Sequence, residues 1–280
     1  MIFFTTEEIE QWINEDAPLV DLTSHLLGLN NQPGILQIAT RHPTRVALTE
    51  EAGRIFEILG CCVRNICPSG EDVPAQSVLL SAEGPAGALH RGWKVAMNLL
   101  EYMCGVATHT AEMVNKVREY SDIPLLVTRK HQPGLKKPLI KAILAGGAVP
   151  HRLGLSETIL IFANHLNLLG GRAALPALLA DMKAAACEQK ITVECDDLDQ
   201  AVQAAEAGTD AVQFDKVSPQ DLSTWCPELK ASFPNLVVLS AGGVGPENVQ
   251  DYARTGVDGI VLSSVFHAKP ADLGVTISLR

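Results

Sequence analysis

Arg129, Lys130, Lys136, Lys137, Lys141, His151 and Arg152 fall within residues 128–165, TRKHQPGLKKPLIKAILAGGAVPHRLGLSETILIFANH, of a 280-residue chain whose formal net charge is −10. Cations gathered against the overall balance point to a site for an anionic ligand. Arg129 and Lys130 are adjacent, so on extended backbone their side chains diverge and can grip different groups. Arginine suits bidentate binding of a carboxylate or phosphate, and lysine acts as a compact charge. The plainer reading of that pair is a solvated surface. Lys136 and Lys137, in PGLKKPLIK, read as the exposed first turn of a helix, whereas His151 beside Arg152 could meet the same anion.

Two small-residue loops follow strand-like runs further on. LSAGGVGPENV contains Ser240, Gly242 and Gly243, and LSSVFHAKP contains Ser263 and Ser264. Glycines let backbone N–H groups approach a phosphate closely, and a following helix N-terminus would add partial positive charge. Glu194 and Asp215 close consecutive predicted strands. They could hold Mg²⁺ with waters or accept from sugar hydroxyls, although a helix-capping role is open for Asp215. The acids of Cys195–Asp196–Asp197–Leu198–Asp199 read as a helix's first turn. His25, His42, His90 and His109 have no partners at ligand spacing. No His/Cys cluster suggests zinc, and neither GxSxG nor a Walker loop occurs.

These groups need a frame that brings strand ends together. The second half alternates short β-rich runs, at 125–128, 158–162, 192–194, 211–215, 237–240 and 259–263, with stretches long enough for a helix and two loops. VVLSA and GIVLS are apolar on both faces, as strands covered on both sides must be. Pro219, Pro246 and the Asn248 region read as helix starts, and Gly208 and Gly256 as helix ends. The pattern predicts a (β/α) barrel, whose active site lies at the C-terminal ends of its strands. Those ends are Thr128–Arg129–Lys130, Phe162, Glu194, Asp215, 240–243 and Ser263–Ser264. The first hundred residues differ: ILQIAT, RVALT and SVLLSAE read as strands around a helix at 50–59. A long helix from about Ala86 reaches Cys104–Gly105 and then resumes through Lys116. That segregation predicts a separate N-terminal α/β sandwich, to which VTISLR at the C-terminus could return as a strand.

Apolar residues make up 47% and charged residues 19%, enough for a full core and too little charge for bulk disorder. The acidic balance argues against nucleic acid or an anionic membrane as partner. No apolar run reaches the roughly 18–20 residues of a membrane span, and MIFFTTEEIE lacks a secretory signal's basic start. Seven cysteines, without a CxxC pair, predict reduced thiols in a cytoplasmic enzyme.

The chain resembles the quinolinate phosphoribosyltransferase family (nicotinate-nucleotide pyrophosphorylase, carboxylating) over nearly its whole length. The resemblance rests on WINEDAPLVDLTS, CGVATHT, TRKHQPGL, GGAVPHRLGLSE, ILIFANH, TVECDDLDQA, AVQFD, LSAGGV and GVDGIVLSSVFH, in that order. It implies an N-terminal α/β sandwich over 1–103, with a return at 269–280, and a barrel of fewer than eight complete strands over 104–268. It further implies a homodimer or higher assembly of dimers with the active site at the subunit interface, phosphoribosyl pyrophosphate as donor, and Mg²⁺. By position, Arg129, Lys130, His151 and Arg152 would bind carboxylate and phosphates. Glu194 and Asp215 would address ribose hydroxyls and metal. Ser240, Gly242, Gly243, Ser263, Ser264 and His267 would line the 5′-phosphate site.

Two positions depart from that pattern. Tyr102 stands where the family has an arginine, and Phe162 where it has a lysine. Both cations would help hold quinolinate's two carboxylates, whereas the aromatic rings offer flat surface for stacking. A subgroup with similar drift is the ModD proteins, named for molybdenum transport operons, and the chain resembles them. The expectation is thus a Mg²⁺-dependent phosphoribosyltransferase for an aromatic or heterocyclic acceptor less anionic than quinolinate. Two alternatives stand beside it: quinolinate chemistry itself, with Arg91 or Lys94 substituting for the lost cations, and a non-catalytic sensor of a phosphometabolite or oxyanion.

Overall fold

The computed structural model describes residues 2–280; the first residue of the apolar start lies outside them. The contacts group the chain into two compact units, one running through Glu112 with Gln132–Gly147 and Phe266–Arg280, the other made of Met113–His131 and Ala148–Val265. The sequence pattern suggests a division near 103. The contacts divide within a long helix and hold 132–147 with the first unit.

In the first unit, α1 (Thr6–Asp16) starts on a reciprocal cap: the Thr5 hydroxyl accepts from Glu8 N–H, and the Glu8 carboxylate accepts from Thr5 N–H. Asp21 caps the short α2 (Leu22–Leu26). Strand β1 (Pro33–Thr40) buries Leu36 and Ile38, as an alternating strand over a core should. RVALT departs from expectation, since only Thr44–Arg45 is strand, β2. Val46, Ala47 and Leu48 are fully buried without regular pairing, and Leu48 turns into α3 (Thr49–Ile58) at φ 60°. Its apolarity reflects burial, not a ladder. Conversely, β3 (Cys62–Ile66) gives little apolar signal because most of its side chains are exposed. After the two-residue β4 (Asp72–Val73) comes β5 (Val78–Pro85), which pairs with both β1 and β3.

Helix α4 (Ala86–Arg118) runs unbroken for 33 residues, so the expected interruption at Cys104–Gly105 does not occur. Gly105 is there for space. A Cβ on it would stand 3.0 Å from both Ala271 N and Pro270 Cα, and closer still to the Lys269 carbonyl. Gly105→Ala, which in an open helix gains about 1 kcal/mol, is therefore expected to destabilise by roughly 1–3 kcal/mol. Calorimetry should record a lower Tm, and a rise would contradict this packing.

Helix α5 (Lys136–Ala145) carries much of what ties 132–147 to the first unit. Lys137 pairs with Glu8 at 2.6 Å, and Lys141 meets Glu50 at 2.9 Å and Glu51 at 2.6 Å. Two members of the cationic stretch are thus spent on structure. Lys137 stays at the surface as expected, 43% exposed, but is paired there.

The second unit is built on a parallel sheet. Its strands are β6 (Leu125–Val127), β7 (Val149–Pro150), β8 (Ile159–Ile161), β9 (Ile191–Cys195), β10 (Ala211–Asp215), β11 (Val237–Ala241) and β12 (Gly259–Leu262), with α6 (Ala163–Leu168) and α7 (Leu175–Ala185) between β8 and β9. They lie in the order β7-β6-β12-β11-β10-β9-β8, so this is a curled barrel-like sheet, short of eight strands and open between β7 and β8. Leu126, Val237, Leu239, Ala241 and Val261 cluster on its inner face. On the other face Phe214 packs its ring against Trp225, at 5.4 Å, in α9 (Pro219–Ser232). Helix starts follow the expected chemistry: Asp197 caps α8 (Leu198–Glu206), and Ser218 with Pro219 opens α9. Gly208 and Gly256 take φ 91° and 86° beyond their helix ends. At the strand feet Asp210 accepts from Ile191 N–H and Asp258 from Val238 N–H, each at 2.8 Å, which fixes neighbouring strands in register.

The last strand, Leu273–Leu279, pairs antiparallel with β1 and completes the order Leu273–Leu279, β1, β5, β3. Among the described residues no helix is long and apolar enough to cross a membrane. All seven cysteines are free.

Candidate active site

Strand parity decides which side chains share the inner face. Glu194 is in register with Gln213, and Asp215 with Ala241. Ala241 belongs to the inner cluster, so Glu194, Gln213 and Asp215 face inward with it. Continuing the β8–β9 register places Phe162 level with Glu194. His151 N–H donates to the Val127 carbonyl at 2.9 Å, which sets His151 beside the end of β6, where Thr128–Arg129–Lys130 begin. Phe162, Glu194, Asp215, His151 and the start of Thr128–Arg129–Lys130 therefore gather at one end of the sheet.

Arg129, Arg152, Phe162 and Glu194, with Thr158, Asn164 and His165, line one cavity of about 810 Å³. The Arg152 guanidinium lies 5.8 Å from the centre of the Phe162 ring. Burial first, then the neighbouring Arg129 charge, pulls Arg152 below its ordinary value. Burial and Arg152 likewise hold His151 below its ordinary value. Among the described residues neither Arg129 nor Arg152 makes an ion pair. Two cations that repel each other, opposed only by Glu157 acting on Arg152 without a direct pair, have reason to take an anion.

Across the cavity, burial, then Asp215 and Asp196, hold Glu194 above the usual carboxylate range. The Gln213 amide donates to Glu194 at 3.4 Å, while its own oxygen is buried without a partner. Lys216 reaches Asp215 only at 3.9 Å. Among the described residues no third His, Cys, Asp or Glu joins to make a closed metal cage. Two inward carboxylates fit Mg²⁺, which keeps waters and takes substrate oxygens alongside one or two acids.

The glycine loop beyond β11 is shaped as a close approach. Gly242 and Gly243 take φ 83° and 73°, and a Cβ on Gly242 would come within 2.6 Å of Lys216 Cγ. Asn248 holds the loop, accepting from Gly245 N–H at 2.8 Å and donating to the Gly243 carbonyl at 3.0 Å. The following α10 (Val249–Ala253) has five residues, and beyond β12 only the 3₁₀ turn Ser264–His267 forms. The expected helix-terminus charge is therefore weak. What remains is backbone N–H and the serines. Ser263 shares the inner face by parity, and the Ser264 hydroxyl is buried without a partner. Ser240 departs from expectation: it is in register with Phe214, whose ring meets α9, so parity turns its buried hydroxyl to the helix side.

Two other predicted residues lie in the first unit. Tyr102, half exposed, lines a cavity of about 450 Å³ there with Trp12, Leu99, Met103 and Pro138. His267 borders another cavity of the same unit with His42 and His109. The proposed substitute cations are engaged locally. Arg91 donates to the Ala17 carbonyl at 2.8 Å, and Lys94 sits 5.5 Å over the Trp93 ring.

Sequence reasoning assigned no role to Glu157, Arg172 or His165. The Glu157 carboxylate accepts from Leu153 N–H at 2.5 Å and Gly154 N–H at 2.8 Å, which ties down the loop after Arg152. Arg172 donates to the Glu194 carbonyl at 2.9 Å and holds the end of β9. His165 accepts from Phe162 N–H at 3.0 Å and stacks on the Phe162 ring at 5.7 Å. The i→i+3 spacing from Phe162 to His165 across a helix start was the available signal.

Residues 106–276 match the family described as quinolinate phosphoribosyl transferase, C-terminal domain, and residues 21–104 match its N-terminal domain. The chain is 36% identical to the ModD protein of Pasteurella multocida over 278 residues, which cover 99% of each chain. It is 31% identical to the carboxylating nicotinate-nucleotide pyrophosphorylase of Homo sapiens, covering 94% of this chain and 88% of that one. Among solved structures, the nicotinate-nucleotide pyrophosphorylase of Ehrlichia chaffeensis superposes with a TM-score of 0.90 at 23% identity, covering 99% of this chain and 100% of the other.

Proposed function

The chain belongs to the quinolinate phosphoribosyltransferase family, and on that premise we propose that it transfers phosphoribosyl from phosphoribosyl pyrophosphate to a planar heterocyclic acceptor less anionic than quinolinate. The observation that carries this reading is Phe162. It closes β8 at the rim of a cavity whose cations are Arg129 and Arg152. A second carboxylate beside that ring would lose its water without gaining a charged partner, which costs several kcal/mol.

In the proposed reaction the bond from ribose C1 to the pyrophosphate oxygen breaks through an oxocarbenium-like state. An acceptor nitrogen then forms the new bond from the opposite face. No protein nucleophile is required; positioning and charge do the work. Arg129, Lys130 and Arg152 would bind and neutralise anionic oxygens, and Phe162 would stack the acceptor ring. The loop of Gly242 and Gly243 with Ser263 and Ser264 would hold the 5′-phosphate. Glu194 and Asp215 would hold the ribose hydroxyls and Mg²⁺, and the ion would supply charge neutralisation to the leaving pyrophosphate.

We also infer a homodimer or higher assembly of dimers with the site completed at the subunit interface, a cytoplasmic setting, and a link to molybdenum use. Support for the last is the similarity to ModD proteins. The test of the acceptor class is Phe162→Lys. Restoring the cation should raise kcat/KM for quinolinate by about 30-fold or more. A variant no better with quinolinate than the native protein would remove this reading.

A further inference from the structure

We propose that His165 is a specificity-determining residue of the acceptor cavity, and that it selects a ring bearing a neutral oxygen, an oxo or carboxamide group, at the edge where a carboxylate would otherwise sit. The argument starts from its hydrogen bond. A backbone N–H can only donate, so the bond from Phe162 N–H at 3.0 Å makes His165 Nδ1 an acceptor. The ring's proton is then on Nε2, and that N–H is its one remaining polar edge. The His165 ring stacks on Phe162 with an interplanar angle of 22°, so both bond and stack fix its plane. Phe162 and His165 line the same cavity as Arg129 and Arg152.

The cavity lining thus carries two unlike kinds of polar group. Arg129 and Arg152 are suited to an anion, and Arg152 lies 5.8 Å from the centre of the Phe162 ring. His165, an exposed residue beside Asn164 in the same lining, offers a neutral donor from a ring whose plane the bond and the stack fix. A neutral N–H satisfies a carbonyl oxygen fully. It compensates a carboxylate's desolvation only in part, because no charge opposes the charge. The ligand class is a planar nitrogen heterocycle with at most one acid group, facing the arginines, and a carbonyl-type oxygen facing His165.

This inference rests on the transferase reading only for what the bound ring then undergoes, so binding and turnover are measured apart. Calorimetry with phosphoribosyl pyrophosphate present would compare quinolinate with its two mono-carboxamides. The native protein should bind one mono-carboxamide at least tenfold more tightly than quinolinate. His165→Ala should weaken that ligand about tenfold, about 1.4 kcal/mol, and leave quinolinate within a factor of two. His165→Gln keeps an N–H donor near the Nε2 position and should recover part of the loss. Equal weakening of both ligands, tighter binding of quinolinate, or no heterocycle binding at all would overturn the assignment. Pyrophosphate release from the same panel reports separately. Selective binding without release would sink the transferase reading and leave His165 in place.

Discussion

Arg152→Ala should cut kcat/KM for phosphoribosyl transfer by about two to three orders of magnitude while leaving the fold intact. The loss follows from position: Arg152 lines the cavity beside Phe162, and its charge is held in part-buried surroundings next to Arg129. Removing a preorganised cation from the place where negative charge develops typically costs about 2.7–4 kcal/mol of transition-state stabilisation. The intact fold follows from the same facts. Among the described residues no ion pair involving Arg152 is broken, and its repulsion with Arg129 disappears along with a longer-range attraction to Glu157. Thermal unfolding should therefore move little, or upward. Arg152→Lys should not restore the rate, because an ammonium cannot supply the planar fork. A native rate in Arg152→Ala would contradict the site, and a large fall in Tm would contradict the placement of Arg152 as a binding residue.

The opposite profile is expected of Lys141→Ala, in which stability collapses and the barrel chemistry is untouched. Lys141 is only 13% exposed and bridges Glu50 and Glu51, with Glu51 at 7%. Truncating one member of a buried ion pair leaves the other uncompensated, at a cost of about 3–5 kcal/mol. Scanning calorimetry should place the Tm lower by roughly 10 °C. Lys141→Met with Glu50→Gln and Glu51→Gln, which removes all three charges, should recover most of the loss. An unchanged Tm in the single variant would mean that the pair carries no net energy.

The same cluster has an acid signature. Burial pushes Glu50 up, but Lys141 and the hydroxyl and N–H of Ser69 outweigh it, and the carboxyl falls from 4.5 to about 2. A depressed folded-state value means that this stabilisation is fully present above about 4.5 and is lost as pH falls through about 2. Lys141→Ala removes the main charge holding Glu50 down, so its acid unfolding should begin at higher pH than that of the native chain. Coincident acid transitions would exclude this linkage.

How far the sequence reaches depends on how local each signal is. VVLSA and GIVLS announce buried parallel strands because both faces are apolar, and the residues closing such strands fall at the mouth by geometry alone. Glu194, Asp215, Arg129 and Phe162 were legible in that way. Lys141 was not, because its charge is answered by Glu50 and Glu51, some ninety positions away. Gly105 suggests a break in the helix when its meaning is the approach of Lys269 and Pro270. Ser240 suggests a phosphate ligand, yet a one-residue parity carries its hydroxyl to the other face. His165 is answered locally by a backbone N–H, and only its i→i+3 spacing from Phe162 marks it in the sequence.

The measurement nearest the central claim is pyrophosphate release from phosphoribosyl pyrophosphate and Mg²⁺, with quinolinate set against mono-carboxylated and uncharged heterocycles. Release with a less charged ring, and little with quinolinate, is the predicted result. Release with quinolinate at an ordinary enzymic rate would contradict the acceptor reading, and silence across the whole panel would contradict the transferase reading itself.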